Sequence, residues 1–569
     1  MNAPTAALVA SRPERLRLVG QRRQTLSMMH QRLMLGMLVY AGIIALVALR
    51  IVYLAAFGDH AGRQVAAALV PERGDIVDRD GQPLARTIDA WSLGIHPARI
   101  IGNKLDIARR LAVLMPERDE AEYYAMLRSK KRFIFLQRRA PPSLVQAVNA
   151  IGDPGLAIER EPDRLYPQTS LGAHVIGYTD VDGRGVAGIE AAFDDQLANA
   201  VTRGEPVQLA ISSRIQQALE HELLASMNTY SAIGAAGVIM DIHSGEVLAM
   251  TSLPQLNPNA AGQGSLEARF NRATLGVYEL GSTFKPFTVA MAMDAGVIES
   301  FGKMYNCPKS FSVGRRTITD THPFGRACSV AEIMMESSNI GTAQIADQVG
   351  AARQKAFLKK MGFLDRLEVE IPEAGRTLSP GSNWNQIETM TVGYGHGIAV
   401  TPLHLANGYA TLFNGGLYRP PTLIKVGRNH PLDKGRRVFS ADTSYRMRSL
   451  LRLVVTQGTG KKADAPGYRV GGKTGTANKP VAGGYSNTRV VTSFAGVFPM
   501  DDPRYVMVVM LDEPQPTAET YGFRTAGWNA APIMSRAVSR IAPMLGVHPD
   551  KQREPNMAEV LPFVQKEEN

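Results

Sequence analysis

The chain has 569 residues, of which 45% are hydrophobic and 20% are charged, and its formal net charge is +11 at pH 7. This hydrophobic content supports folded domains and excludes a chain that is disordered over most of its length. A positive charge can indicate a nucleic-acid partner, but residues 1–32 hold six arginines and one acidic residue, which is +5 of the total. The charge therefore indicates an N-terminal feature, and no nucleic-acid partner is predicted.

The first predicted element is a membrane anchor. Seventeen uncharged residues separate Arg32 from Arg50, and apolar character resumes after Arg50, which predicts an anchor over 33–57. A spanning helix needs about 20 apolar residues, and an arginine near its end can reach the headgroups. The basic segment 1–32 is then expected to stay in the cytoplasm by the positive-inside rule. A cleaved signal peptide and a buried core helix are the competing interpretations.

Strand and helix patterns over residues 58–205 predict a mixed α+β region. Alternating apolar residues and an Asp-Gly turn over 73–85 indicate strand, turn and strand. Apolar residues at helical spacing follow in three segments, at 104–115, 121–129 and 142–150.

Residues 206–547 show a more regular alternation of strand and helix patterns. A helix with apolar spacing from Ile215 to Leu224 precedes a predicted hairpin at 238–250. Three further segments are predicted, namely strands at 490–498 and 505–511 and an amphipathic segment near 528–541. Residues 548–569 contain three prolines and mixed charges, which predicts a mobile C-terminal tail.

Two cysteines, Cys307 and Cys328, lie beyond the anchor. An oxidising compartment permits a disulfide there, and the sequence leaves their pairing open. The only segment that begins like a zinc-protease helix, His221-Glu222, has Ala225 where the second histidine must stand. No metal site is predicted.

The strongest candidate for catalysis is Ser282 with Lys285. A serine hydroxyl is a weak nucleophile until a base takes its proton, and a lysine can do so when burial or a nearby cation lowers its pKa. Gly281 suits a turn, so Ser282 is expected at a helix start with Lys285 one turn later. The pattern alone is weak, because Ser300 and Lys303 repeat it.

Two further motifs accompany this pair. Ser337-x-Asn339 lies between two helix-like stretches, where helix capping is the competing function. Lys473-Thr474-Gly475-Thr476 follows a strand-like segment and brings together a cation, hydroxyls and open backbone N–H groups. Residues 467–474 also satisfy the P-loop pattern, but the glycines and proline that follow exclude the helix a P-loop needs.

Ser-x-x-Lys, Ser-x-Asn and Lys-Thr-Gly in this order form the motif set of penicillin-binding proteins and β-lactamases. From the anchor to about residue 545 the chain resembles a class B penicillin-binding protein, supported by segments such as 73–79, 185–190 and 393–397. The resemblance implies a mixed α/β chain with one transmembrane helix, an elongated α+β pedestal over 58–205 and a transpeptidase domain over 206–547. That domain is expected to have an antiparallel sheet flanked by helices.

The resemblance also implies a mechanism. Ser282 is implied as the nucleophile that is acylated by a stem peptide as D-alanine leaves, and Lys285 as its base. Ser337 is implied as the proton relay and Asn339 as a contact to substrate and to Lys285. Lys473, with Thr474, Gly475 and Thr476, is implied to bind the terminal carboxylate and complete the oxyanion hole. Neither a metal nor a cofactor is implied.

The implied function is peptidoglycan D,D-transpeptidation, with β-lactams as inhibitors. Within the class the chain is most similar to division-specific members, and elongation-specific members are nearly as similar. The same motifs also fit a serine D,D-carboxypeptidase or β-lactamase-type hydrolase, and a membrane β-lactam sensor and a non-catalytic division scaffold are further competing functions. The resemblance implies a single-pass inner-membrane protein with its catalytic domain in the periplasm, and an FtsW-like glycan polymerase and the division complex as partners.

Overall fold

The computed structural model describes residues 32–50, 73–199, 201–481 and 484–565. Its first helix, α1, spans Arg32–Arg50 and contains an 18-residue window with a mean hydropathy of 2.2, so by length and composition it is able to cross a membrane. Its side chains are exposed, unlike those of a buried core helix. The predicted basic segment up to residue 31 and the end of the predicted anchor, 51–57, lie outside the described residues.

The predicted strands and helices after the anchor are present in a pedestal region. The strands are β1 Ile76–Val77, β2 Pro83–Ile95, β3 Ile134–Ala140, β4 Leu156–Leu165, β5 Tyr178–Thr179 and β6 Gly185–Ala187. The helices are α2 Lys104–Leu114, α3 Glu120–Leu127, α4 Pro142–Asn149, α5 Ala173–Ile176, α6 Gly188–Ala192 and α7 Asp194–Ala198. The long strand β2 pairs with β1, β3 and β4, and helices α2, α3 and α4 bury their apolar faces against it.

A buried ion network connects distant segments of the pedestal region. Glu190 is fully buried, and its two carboxylate oxygens accept from Arg73 Nε at 2.6 Å and Arg164 Nε at 2.7 Å. Arg73 also contacts Asp194 at 2.6 Å. Arg164 donates to the backbone oxygen of Gly74 at 2.9 Å. These contacts join both ends of the pedestal sequence.

The remaining chain forms the region for which catalysis is predicted from the sequence, and we call it the catalytic region. Its strands are β7 Val207–Gln208, β8 Gly234–Asp241, β9 Val247–Leu253, β10 Met304–Cys307, β11 Phe311–Val313, β12 Arg316–Ile318, β13 Arg326–Ser329, β14 Leu417–Tyr418, β15 Arg436–Arg437, β16 Gly471–Val481, β17 Gly484–Phe498 and β18 Tyr505–Asp512. Its helices are α8 Ser213–Thr229, α9 Leu266–Arg269, α10 Lys285–Asp294, α11 Val330–Met335, α12 Asn339–Val349, α13 Ala351–Lys360, α14 Gln386–Gly393, α15 Pro402–Phe413, α16 Ala441–Thr456 and α17 Ala530–Ile541.

The central sheet of this region is antiparallel, with strand order β16-β17-β18-β8-β9. Both faces are covered by helices, which explains why β18 is apolar at consecutive positions. Met507, Val509 and Leu511 pack with α8 and α17 on one face. Val508 and Met510, which point the other way, pack with α10 and α15. The fold class predicted from the sequence is confirmed.

The two regions are joined by backbone pairing. Strand β1 of the pedestal pairs in parallel with β7, which opens the catalytic region. At the next turn, the carboxylate of Asp78 accepts from the backbone N–H of Ser213 at 3.2 Å and from its hydroxyl at 2.7 Å. These contacts fix the start of helix α8 to the pedestal.

An excursion, which we define as residues 308–327, lies between the two cysteines and ends in the first two residues of β13. Strands β10 and β13 pair antiparallel, and a disulfide joins Cys307 to Cys328 with 5.9 Å between their Cα atoms. The excursion contains the hairpin β11–β12. The pairing that the sequence left open is therefore present at the base of this element.

The C-terminal segment differs from the predicted mobile tail. Val560 is fully buried in the main hydrophobic core, and Glu554 forms an ion pair with Arg452 of α16 at 2.5 Å. Ser329 donates its hydroxyl to the backbone oxygen of Phe563 at 2.7 Å. The prediction is wrong up to residue 565 because sparse apolar residues and glutamates meet partners that are distant in sequence.

Candidate active site

Ser282 lies in a single 3-10 turn, Gly281–Phe284, that continues into helix α10. Gly281 has φ +54°, a left-handed conformation that glycine adopts at little cost. The backbone oxygen of Thr283 accepts from the hydroxyl of buried Tyr409 at 2.9 Å, which ties the turn to α15. The helix start predicted from the sequence is therefore present as a 3-10 turn that is hydrogen-bonded to α15.

Ser337 and Asn339 lie where helix α11 ends and helix α12 begins. Ser337 has φ +63°, which is unusual for a residue other than glycine and costs on the order of 1–3 kcal/mol. Between them, Ser338 caps α12 by accepting from the backbone N–H of Gly341. Ser338 therefore caps the helix, while its neighbours Ser337 and Asn339 belong to the candidate site.

Lys285 is fully buried and its ammonium nitrogen is directed at this junction. It donates to the backbone oxygen of Ser337, to Ser337 Oγ at 3.2 Å and to Asn339 Oδ1 at 2.8 Å. Burial, followed by the nearby charge of Lys473, lowers the pKa of Lys285 well below its ordinary value. A neutral amine, which can accept a proton, is thereby favoured.

Lys473 approaches the same serine from the edge strand of the sheet. Its Nζ donates to Ser337 Oγ at 2.8 Å, so this hydroxyl lies between the two lysine nitrogens. Burial lowers the pKa of Lys473 to about 7. The sequence pattern placed this motif after a strand-like segment, whereas Lys473, Thr474 and Gly475 lie within β16 itself.

Gly475 lets strand β16 approach the nucleophile turn. A Cβ at this position would overlap the backbone oxygen of Leu280, so no larger residue fits without moving the turn. The neighbouring threonines are held in place by hydrogen bonds. Thr476 Oγ1 accepts from the backbone N–H of Ala526 at 2.9 Å, and the hydroxyls of Thr474 and Thr459 are 3.0 Å apart.

These residues surround an open cleft of about 550 Å³. Five of the predicted site residues line it, namely Ser282, Ser337, Asn339, Thr474 and Thr476. Lys285 and Lys473 are buried behind them, and Gly475 supports the strand. The structure thus brings together all eight residues that the sequence pattern predicted for the site.

Further lining residues were not predicted from the sequence. The cleft wall also contains Thr459, Lys461, Lys462 and Trp528, with the ammonium nitrogen of Lys462 3.2 Å from the centre of the Trp528 ring. His396 lines the cleft from the glycine-rich segment 393–397, and its sequence context predicts no catalytic role. Burial lowers the pKa of His396 to about 4, and a proton on Lys285 acts in the same direction.

Comparison with known families and proteins agrees with this geometry. Residues 235–535 match the penicillin-binding protein transpeptidase domain, and residues 68–200 match the penicillin-binding protein dimerisation domain. The chain is 38% identical over 488 residues to the probable peptidoglycan D,D-transpeptidase FtsI of Caulobacter vibrioides, covering 84% of this chain and 82% of that protein.

More distant relatives and solved structures agree. The peptidoglycan D,D-transpeptidase FtsI of Escherichia coli is 28% identical, with 84% of each chain covered. The crystal structure of penicillin-binding protein 3 from Mycobacterium tuberculosis in complex with aztreonam superposes with a TM-score of 0.67 at 27% identity, covering 84% of this chain and 97% of that one. The chain therefore belongs to the penicillin-binding proteins that combine a transpeptidase domain with a dimerisation domain.

Proposed function

We propose that this protein is a serine-type peptidoglycan D,D-transpeptidase that works through an acyl-enzyme on Ser282. The observation that carries the proposal is the placement of Ser337 Oγ between two buried lysine nitrogens, 3.2 Å from Lys285 and 2.8 Å from Lys473, beside the cleft that Ser282 lines. Such an arrangement moves protons between a serine, an amine and a leaving group without a metal.

In the proposed acylation, Ser282 Oγ attacks the carbonyl carbon between the two terminal D-alanines of a stem peptide. Neutral Lys285 takes the hydroxyl proton, and Ser337 relays a proton to the amine of the departing D-alanine. The backbone N–H groups of Ser282 and Thr476 stabilise the oxyanion, a contribution worth roughly 3–4 kcal/mol per donor in other enzymes. The C–N bond then breaks and the acyl group stays on Ser282.

Binding of the donor peptide is assigned to the strand side of the cleft. Protonated Lys473, with the hydroxyls of Thr474 and Thr476, holds the terminal carboxylate by charge-assisted hydrogen bonds. Asn339 contacts the peptide backbone. An amine of a second stem peptide then attacks the acyl carbon, which forms the cross-link and releases Ser282. A β-lactam mimics the D-Ala-D-Ala terminus and stops at the acyl stage.

An intact-mass time course of the detergent-solubilised chain with benzylpenicillin tests the acyl-enzyme. We expect a persistent adduct on the wild type and none on Ser282→Ala. The second Ser-x-x-Lys pair provides a matched control, because Ser300→Ala should form the adduct as the wild type does. A transient adduct with consumption of penicillin would identify a hydrolase, and an adduct retained by Ser282→Ala would disprove the assignment.

The relatives named FtsI support a role in septal wall synthesis, with helix α1 as a membrane anchor. In this proposal the N-terminus is cytoplasmic, the catalytic region is periplasmic, and an FtsW-like glycan polymerase of the division complex supplies the strands. A fluorescent fusion tests the role: enrichment at the division site is expected, and enrichment along the lateral wall would favour an elongation-specific role.

A further inference from the structure

The excursion 308–327 reaches the active site at its far end. Its loop after β12 contains Asp320, and the next two residues, Thr321 and His322, line the cleft. The excursion thus contributes both a wall of the cleft and a carboxylate at the junction of α11 and α12.

Asp320 is hydrogen-bonded to the segment that follows Ser337. Its Oδ1 accepts from the backbone N–H groups of Asn339 at 2.5 Å and Ile340 at 3.1 Å. Its Oδ2 accepts from the hydroxyl of Ser338 at 2.6 Å. One carboxylate therefore satisfies two N–H groups at the start of α12, where backbone donors lack helical partners, and orients the residue between Ser337 and Asn339.

The residue before Asp320 sets the orientation of the Asn339 amide. The backbone oxygen of Thr319 accepts from Asn339 Nδ2 at 3.0 Å. With its nitrogen held there, the amide directs Oδ1 at Lys285, which donates to it at 2.8 Å. Two consecutive residues of the excursion thus fix both ends of Asn339.

The excursion is held firmly enough to serve as a support. Ile318 packs with Phe311 and Val313 against residues of α12 and α14 in a small hydrophobic cluster that includes Ile340. At its base, the disulfide between Cys307 and Cys328 closes the loop, which reduces the number of conformations open to it.

We propose that Asp320 is a positioning residue for acyl transfer, which through Ser338, Asn339 and Thr319 holds the Ser-x-Asn segment in register with Lys285. This inference rests on the proposed function, since it assigns the support of the same catalytic groups. Asp320 acts through its neighbours, so it is distinct from the residues that contact substrate.

The charge of Asp320 also gives the proposal a signature in the pH profile. Three titratable groups surround Lys285. The charge of Lys473 in β16 lowers the pKa of Lys285, and the charge of Asp320 raises it. The third group is His396, whose own pKa is lowered when Lys285 carries a proton. Acylation requires neutral Lys285, so its rate falls as the pH drops through the pKa of Lys285. Removal of the Asp320 charge lowers that pKa and moves the acidic limb to lower pH.

The test compares Asp320→Ala, Asp320→Asn and Asp320→Glu with the matched control Asp294→Asn in the full detergent-solubilised chain. Asp294 also supports a helix start, because it accepts from the hydroxyls of Ser440, the N-cap residue of α16, at 2.9 Å and of Thr443 at 2.6 Å. Benzylpenicillin acylation rates and thermal unfolding are measured from pH 5 to pH 9. The asparagine variant keeps the size of the side chain and removes its charge.

We expect Asp320→Ala to acylate at least tenfold more slowly than the wild type, with Asp320→Glu partly restoring the rate. We expect Asp320→Asn to shift the acidic limb to lower pH, and Asp294→Asn to leave the profile unchanged. Wild-type rates and profiles in all Asp320 variants would overturn the positioning role. Absence of any adduct on the wild type would instead overturn the proposed function.

Discussion

The pedestal and the active-site cleft both bury cations, but they surround them with different partners. In the pedestal, Arg73 and Arg164 meet the carboxylate of Glu190 at 2.6–2.7 Å. Burial alone would lower the pKa of Arg73, yet the carboxylates of Glu190 and Asp194 outweigh it and the pKa is raised. These cations stay charged and hold two chain segments together.

The cleft contains two buried lysines whose hydrogen bonds go to neutral oxygens. Lys285 donates to Ser337 and Asn339, and Lys473 donates to Ser337 and Thr474. Burial therefore dominates, and the pKa of each lysine is lowered. The difference shows how one fold separates cations that stabilise it from amines that can exchange protons near neutral pH.

The largest effect is expected for Lys285→Met. The variant keeps an unbranched side chain but removes the base, so we expect acylation by benzylpenicillin to slow by about 10²–10⁴-fold. Stopped-flow measurement with a fluorescent penicillin gives the rate, and circular dichroism verifies the fold. Retention of more than a tenth of the wild-type rate would show that another group accepts the proton.

Glu190→Gln tests the buried ion network of the pedestal. Removal of one partner leaves two buried guanidinium groups without their shared carboxylate, so the unfolding free energy should fall by about 3–5 kcal/mol. Urea unfolding measures the change, and the acylation rate of the protein that remains folded should match the wild type. An unchanged unfolding midpoint would contradict the structural role of the network.

Lys473→Met should change stability in the opposite direction. The pKa of Lys473 is lowered to about 7 in the folded protein, whereas an unfolded lysine titrates near pH 10.4. The unfolded state therefore binds the extra proton between these values, and wild-type stability rises with pH across this window. At pH 7 we expect the variant to gain up to about 4 kcal/mol and lose acylation. The gain should vanish toward pH 10 in the same urea experiment.

The pH profile of acylation should show the charge of Lys473 directly. If protonated Lys473 binds the carboxylate of benzylpenicillin, the second-order acylation rate should fall above its pKa of about 7, by up to about tenfold per pH unit. Measurement from pH 6 to pH 10 determines this limb. An acylation rate that stays constant up to pH 9 would disprove the proposed role of the Lys473 ammonium group.

The smallest effect is expected at the surface. Arg446 and Glu559 form an ion pair at 2.8 Å in which the glutamate side chain is 42% exposed. Exposed pairs of this kind contribute at most about 1 kcal/mol. Glu559→Ala should therefore shift the thermal unfolding midpoint only slightly, and a loss comparable to that of Glu190→Gln would show that exposure is a poor guide here.

Local patterns predicted much of this molecule from the sequence. Ser282 and Lys285 are one turn apart, so their relation depends only on the backbone between them. The alternation of Met507, Val508 and Val509 between two hydrophobic clusters follows from the two-residue period of a strand. Such features need no knowledge of distant contacts.

Features set by distant contacts were not predicted. Asp320 acquires its role from residues 18–20 positions away, and nothing in its neighbourhood in sequence marks it. The segment after 548 has the composition of a mobile tail because it is polar and rich in proline, yet Val560 enters the core and Glu554 meets Arg452. Lys473 was predicted to follow a strand-like segment, whereas it lies within β16. The glycines of this strand have no side chains to indicate a strand, and Gly475 is required by the close approach of the nucleophile turn.

Strand β16 is the last strand of its sheet, and that position has a consequence for ligand selectivity. An edge strand has one row of backbone N–H and C=O groups that no neighbouring strand uses. An extended peptide that lay along Thr474 and Thr476 would be recognised through its main chain, which every peptide shares. Chemical variation in its side chains would then change affinity little, whereas methylation of its amide nitrogens would weaken binding strongly.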